Sequence, residues 1–162
     1  MAELEFERLF RVLNENQVEF ILIGGMNYFL HFRPVTTQDI DIWISPTLEN
    51  IARCELAMNL IEAEWGRNDT DWGPTFEKPP GWLQSQNVYC LLTSCGMVDI
   101  FKRVLGLAPF KTCWDRAESI CLKESIFYRS LSAKDMLACQ LAIPEENRRN
   151  ERVAHLRKIL GE

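Results

Sequence analysis

The chain has 162 residues, 47% hydrophobic and 25% charged, so it can bury a substantial core and lacks the composition of a disordered or fibrous protein. Its net charge of -5 argues against a broad electrostatic surface for nucleic acid. Its six cysteines form no C-x-x-C pair and it has only two histidines, so neither a zinc site nor a disulfide framework is indicated.

No apolar run approaches the roughly 20 residues that a membrane-spanning helix needs. The N-terminal segment carries acids where a secretory signal would carry a basic region and an apolar block. We therefore expect a cytoplasmic protein without membrane association, folded as a single domain over residues 1–162.

The first part of the chain alternates helical and extended patterns. Apolar residues recur at helical spacing from Phe6 to Leu13 and predict an amphipathic helix that ends near residues 14–16. A strand is predicted at Phe20–Ile23, followed by a short helix after Gly25 and a second strand at Asp39–Ile44.

A second long helix is predicted after this strand, because Ser45, Pro46 and Thr47 suit a first turn. We expect its apolar face to consist of Leu48, Ile51, Ala52, Leu56 and Ile61. Residues 66–82 are rich in Gly, Pro and Asp and predict a loop.

The remainder of the chain predicts a hairpin, short strands and C-terminal helices. The segments VYCLLT and MVDIFK predict the hairpin, with Asp99 in its second strand, and SICLKESIFYRS predicts one or two more strands. Ser132 and Asp135 form an S-x-x-D helix start, so C-terminal helices begin at about residue 132, with the last from about Asn147 to Leu160. The order of elements predicts an α/β fold, a mixed sheet flanked by helices.

Two acids lie within an apolar strand pattern. Side chains alternate along a strand, so Asp39 and Asp41 share one face, about 7 Å apart, while the isoleucines between and after them point into the core. Two carboxylates so close repel each other, and a cation between them would offset this repulsion. Magnesium is the natural candidate, because it prefers carboxylate ligands. Asp99, in another predicted strand, is a candidate third acid. Three carboxylates on two strands suit a site for two magnesium ions that catalyses phosphoryl transfer.

Trp43 shares this face and either stacks on a base or packs at the sheet edge.

The strand at Phe20–Ile23 ends in Gly24 and Gly25 and turns into a helix. Such a turn exposes backbone N–H groups at a helix N-terminus, and a phosphate can approach them without obstruction by a Cβ. The spacing to Asp39 accommodates one short helix and a return into a neighbouring strand. We therefore predict a phosphate site beside the acids.

The segment LIGGMNYFLHFRPVTTQDIDIWI resembles the active-site signature of the nucleotidyltransferase superfamily of the DNA polymerase beta type. Similar small bacterial members are the toxins of type IV toxin–antitoxin systems and the lincosamide and aminoglycoside nucleotidyltransferases. Residues 33–42 favour the toxin-related branch. The resemblance implies a polymerase-beta-like fold and transfer of a nucleoside monophosphate from a nucleoside triphosphate (NTP) to a hydroxyl, with pyrophosphate leaving.

The resemblance also implies roles for individual residues. Gly24 and Gly25 would hold the triphosphate, with Arg33 and Thr37 as further nucleotide-binding candidates. The catalytic and metal-binding residues would be Asp39, Asp41 and Asp99, with Asp99 also helping to activate the acceptor hydroxyl.

The C-terminal segment departs from the pattern of these relatives. Gln140 stands where they often have a lysine, and His155 stands where they often have an aspartate. An arginine could replace the lysine, because its fork binds phosphate well, and the candidates are Arg148, Arg149 and Arg152.

Three functions are therefore compatible with the sequence. The first is an enzyme that modifies a macromolecule, either an RNA end or a partner protein of a toxin–antitoxin pair. The second is an enzyme that modifies a small molecule such as an antibiotic. The third is an inactive nucleotide- or partner-binding member, which the two departures would explain.

Overall fold

The computed structural model describes residues 5–31 and 39–162. Within these ranges the α-helices are α1 (Phe6–Glu15), α2 (Gly24–His31), α3 (Leu48–Leu60), α4 (Phe110–Arg116), α5 (Ala133–Ala142) and α6 (Asn150–Ile159). The strands are β1 (Phe20–Ile23), β2 (Asp39–Ile44), β3 (Glu64–Trp65), β4 (Gly73–Pro74), β5 (Val88–Thr93), β6 (Gly96–Phe101), β7 (Glu118–Lys123) and β8 (Ile126–Ser130).

All of these strands form one mixed sheet in the order β4-β3-β5-β6-β2-β1-β8-β7. β2 pairs with β6 in parallel and with β1 antiparallel, so it lies near the centre. β1 pairs with β8 in parallel, while β5 and β6 form the predicted hairpin. The predicted α/β architecture is therefore confirmed, as are the bounds of β1 and β2.

Two hydrophobic clusters lie on the two faces of the sheet. The first contains Ile40 and Ile42 together with buried residues of α1 and α3. The second contains Ile21, Ile23 and Trp43 together with buried residues of α4, α5 and α6. This alternation along β1 and β2 assigns each side chain to one of two layers.

The buried face of α3 differs from our prediction. Leu48 and Leu56 are 68% and 60% exposed, whereas Asn50 and Glu55 are buried. Glu55 accepts hydrogen bonds from the backbone N–H groups of Gly81 and Leu83, both at 2.9 Å. The apolar residues surround this helix, so their spacing does not select one face, and hydrogen-bonded polar side chains occupy part of the core.

Several element boundaries also differ. α2 begins at Gly24, two residues before the predicted start, and α6 begins at Asn150 because a short 3-10 helix occupies Glu145–Asn147. The segment predicted as a loop contains β4 and the 3-10 helix Thr75–Glu77, and a second 3-10 helix begins at its last residue, Trp82. The sequence did not reveal α4, which has only seven residues and no side-chain cap.

Candidate active site

The neighbouring strands β2 and β6 bring three carboxylates together. Asp41 lies directly opposite Asp99, and Asp39 lies one alternation earlier on the same face of β2. One carboxylate oxygen from each of these three residues lies within 4.8 Å of the others. Ile40 and Ile42 are fully buried on the opposite face. The predicted clustering of the three acids is thus present in the structure.

The site is electrostatically strained without a cation. Burial, followed by the charges of Asp39 and Asp99, raises the pKa of Asp41 to about 8. Burial and Asp39 raise the pKa of Asp99 to about 6. Oδ1 of Asp41 is buried and has no hydrogen-bond partner among the described residues. Three converging carboxylates and an unpartnered buried oxygen suit a hard divalent cation such as magnesium.

Gly24 forms the junction between β1 and α2 and lies close to Asp41. Its φ is +72°, which an L side chain rarely adopts. A Cβ at this position would collide with Oδ2 of Asp41. The glycine therefore serves both the turn and the close approach of backbone to the carboxylate.

A cavity of about 850 Å³ opens beside the acids. Gly24, Gly25, Asp39 and Asp41 line it, and Arg103, Arg149 and Arg152 contribute cationic side chains. This volume is in the range of sites for drug-sized ligands. Glycine backbone, carboxylates and arginines around one cavity are the groups that a nucleoside triphosphate and its metal require.

The C-terminal segment supplies two of these arginines, Arg149 just before α6 and Arg152 within it. Gln140 also lines it, and its Oε1 accepts a hydrogen bond from the backbone N–H of Arg149 at 3.0 Å. Arg148 instead donates to the carbonyl oxygens of Ile143 and Leu141. Of the three arginines considered from the sequence, Arg149 and Arg152 therefore lie at the cavity.

Tyr28 and His155 support the position of Arg152. The guanidinium of Arg152 lies 5.0 Å from the centre of the Tyr28 ring. The Tyr28 hydroxyl shares a hydrogen bond of 2.5 Å with Nδ1 of His155, one turn further along α6. Burial lowers the pKa of Arg152, and the Asp41 carboxylate partly offsets this effect. His155 thus holds Tyr28, which lines the cavity.

The other residues that the sequence suggested for the site are not placed at the cavity. Arg33 and Thr37 lie outside the described residues. Trp43 is 2% exposed and packs edge-on against Phe110 with ring centres 5.3 Å apart, so it belongs to the core and does not present a face to a base. Sequence reasoning missed Tyr28 and Arg103, although Arg103 follows soon after the strand that carries Asp99.

In the part of the chain that the structure describes, none of the helices combines the length and apolar character needed to cross a bilayer.

No protein-family model and no curated protein matches the sequence. Solved structures do resemble the fold. The aminoglycoside nucleotidyltransferase ANT(2'')-Ia, in complex with adenylyl-2''-tobramycin, superposes with a TM-score of 0.61 at 13% identity, over 96% of this chain and 87% of that one.

A candidate nucleotidyltransferase from Thermotoga maritima gives a TM-score of 0.56 at 17% identity, over 96% of this chain and 90% of that one. At such low identity these likenesses concern the fold. They agree with the resemblance that the glycine turn and the paired aspartates predict. The chain therefore shares a mixed α/β fold with these two solved structures.

Proposed function

We propose that the protein is a metal-dependent nucleotidyltransferase that transfers a nucleoside monophosphate from an NTP to a hydroxyl of a macromolecule. The observation that carries this proposal is the convergence of Asp39, Asp41 and Asp99 beside the Gly24 turn. A macromolecular acceptor, as in toxin–antitoxin systems, is our first hypothesis. The tobramycin adduct in a structural neighbour supports a small-molecule acceptor as the second.

The residues of the site would have different roles. The three aspartates would hold magnesium, for which we expect two ions. When bound, magnesium would neutralise charge on the triphosphate and polarise the reacting phosphate. Arg149 and Arg152 would bind the phosphates in place of the lysine that Gln140 replaces. In this arrangement Gln140 holds the start of α6 and is compatible with activity.

Asp99 is the candidate proton acceptor. Its carboxylate lies with those of Asp39 and Asp41, so it would be near a hydroxyl that reacts at this site. The acceptor oxygen would form a bond to the α-phosphorus, the bond to the bridging oxygen of pyrophosphate would break, and Asp99 would take the hydroxyl proton. Pyrophosphate would leave with the electron pair of the broken bond.

The direct test is label transfer from each NTP, labelled at the α-phosphate, to total RNA, lysate protein or aminoglycosides in the presence of magnesium. We expect label on one acceptor class, and its loss in Asp39→Asn/Asp41→Asn. Asp115→Asn is a matched control, because Asp115 is exposed and pairs with Lys111. Absence of both transfer and magnesium-dependent NTP binding would contradict the proposal and favour an inactive member.

A further inference from the structure

The sheet face that carries the acids continues beyond them as an exposed apolar surface. Pairing of β5 with β6 places Cys90 opposite Asp99 and Leu92 opposite Met97, and Met97 is paired with Asp39 of β2. Leu92 and Met97 are 45% and 42% exposed, and Cys90 is exposed as well. We call Cys90, Leu92 and Met97 the apolar platform. It begins directly beside the carboxylates.

An acid and an exposed indole end the platform on the side away from the metal site. Glu64 of β3 lies opposite Leu92, and directly paired residues of antiparallel strands share a face. The next residue, Trp65, packs into the core against Tyr89 on the other face. Nε1 of Trp72 donates to Oε2 of Glu64 at 2.9 Å, and Trp72 is 45% exposed. A carboxylate beside an indole suits a cationic group.

The register gives the length of this surface. Asp39, Met97, Leu92 and Glu64 form a row across four adjacent strands. Neighbouring strands lie about 4.8 Å apart, so the row is about 14 Å long. An extended peptide rises about 3.3 Å per residue and covers this length with about four residues.

The platform lies on the side from which an acceptor would approach. In the sheet order it lies on the β5–β6 side of β2, whereas Gly24 and the α2 helix lie on the β1 side. The attacking and leaving oxygens of a phosphoryl transfer are roughly in line. With the triphosphate held by Gly24, Arg149 and Arg152, the acceptor hydroxyl would approach over the platform.

The charges on this face favour some classes of acceptor over others. The positions of β2, β3, β5 and β6 that share the face include no lysine or arginine. RNA binding relies on cations that neutralise phosphates, so a polyanion is disfavoured here. An aminoglycoside would place a polar, polycationic body on Leu92 and Met97. A polypeptide can supply apolar side chains in the middle and a basic one at the end.

We propose that the acceptor is a protein, whose serine, threonine or tyrosine hydroxyl reaches the carboxylate site from an extended segment on the platform. Apolar side chains of this segment contact Leu92 and Met97, and a lysine or arginine about four residues from the hydroxyl reaches Glu64 and Trp72. This inference rests on the proposed nucleotidyl transfer. The hydroxyl oxygen forms the bond to the α-phosphorus, pyrophosphate leaves, and the hydroxyl proton passes to Asp99.

The test uses synthetic peptides with a tyrosine or serine, two apolar residues, and a lysine placed four residues before or after the hydroxyl. Label transfer from NTP to these peptides in the presence of magnesium is compared with transfer to peptides in which glutamate replaces the lysine. We expect at least a tenfold higher kcat/KM for the lysine peptide. In Glu64→Lys the preference should reverse, which a loss of folding would not produce.

The platform itself is tested with Leu92→Lys, for which we expect at least a tenfold rise in the KM of the peptide. Phe127→Lys is the matched control, because Phe127 is 49% exposed in β8, away from the platform. It should leave transfer unchanged. Equal labelling of both peptides, or an unaltered KM in Leu92→Lys, would overturn the inference.

Calorimetric titration with magnesium and NTP, without acceptor, distinguishes failure of the protein acceptor from failure of the proposed nucleotidyl transfer. Magnesium-dependent NTP binding with labelling of total RNA or tobramycin, and none of the peptides, would overturn the protein acceptor and leave nucleotidyl transfer intact. NTP binding without label on any acceptor would also overturn the protein acceptor. Absence of magnesium-dependent NTP binding would overturn both.

Discussion

Gly24 is the residue at which backbone conformation and the acidic site constrain each other most directly. Its positive φ disfavours any side chain, and a Cβ would meet the Asp41 carboxylate. The same carboxylate has an oxygen without a hydrogen-bond partner among the described residues. A methyl group here would therefore push Asp41 out of position as well as strain the turn.

We expect Gly24→Ala to lower the free energy of unfolding by about 1–3 kcal/mol, because it combines strain with a steric collision. It should also weaken magnesium-dependent NTP binding. Chemical denaturation and calorimetry measure the two effects. Gly73→Ala is the control, because no heavy atom outside its neighbours lies within 4 Å of a Cβ there. A Gly24→Ala protein with unchanged stability and binding would refute this view of the turn.

At the scale of the element, α6 and the residue just before it contribute two cations to the cavity, and α5 is anchored by an ion pair whose acid is buried. Arg152 is stacked on Tyr28, so its guanidinium is held in one region of the cavity. Asp135 is 3% exposed, its backbone N–H donates to the capping hydroxyl of Ser132, and its carboxylate receives two hydrogen bonds from Arg116. These contacts connect α4 and α5 and fix the wall of the cavity.

Arg152→Ala should weaken NTP binding about tenfold or more, since a hydrogen bond to a charged group contributes about 1.5–3 kcal/mol. Arg152→Lys should restore only part of the affinity, because lysine keeps the charge and lacks the planar fork. Isothermal titration measures both. Arg157→Ala, in the exposed last turn of the same helix, is the control. Equal affinities for the alanine variants would exclude Arg152 from the nucleotide site.

Asp135→Asn should reduce the free energy of unfolding by about 1–3 kcal/mol, because it removes the charge of a buried partner of a partly exposed arginine. Asp115→Asn removes an exposed partner of Lys111 and should change stability by less than about 0.5 kcal/mol. Urea denaturation distinguishes the two. Similar losses in both variants would show that burial of Asp135 does not matter.

At the scale of the whole molecule, the acidic site couples stability to pH and to divalent cations. The pKa of Asp41 is raised in the folded protein to about 8, so folding favours its protonated form. This contribution is fully present below the ordinary pKa of an aspartate, near 4, and is lost as the pH rises through about 8. A bound cation would remove the cost of the deprotonated form.

In the absence of metal, raising the pH from 5 to 8 should therefore destabilise the unaltered protein more than it destabilises the Asp41→Asn variant. At pH 8 the variant should be more stable by about 1–3 kcal/mol, because the buried charge is gone. Magnesium should raise the melting temperature of the unaltered protein more at pH 8 than at pH 5, and should have little effect on the variant. A magnesium effect that is independent of pH, or equal in Asp41→Asn, would contradict this coupling.

The site was predicted from sequence to the extent that local patterns encode it. Alternation along Asp39–Ile44 placed two acids on one face, and the Gly24 turn and the hairpin with Asp99 followed from short segments. The same reasoning failed for α3, whose apolar residues surround the helix, and missed α4, which is short and uncapped. Local periodicity determines a face only where apolar and polar residues separate along it.

The sequence by itself therefore determined the acidic strands, the glycine turn and the mixed α/β arrangement. Only the tertiary structure decided which cations line the cavity, that Trp43 packs in the core, and that an apolar platform adjoins the acids. The physical reason is separation along the chain. Tyr28 and His155 are 127 residues apart, yet they share a hydrogen bond. Contacts of this kind arise from packing of whole layers, which short sequence patterns do not specify.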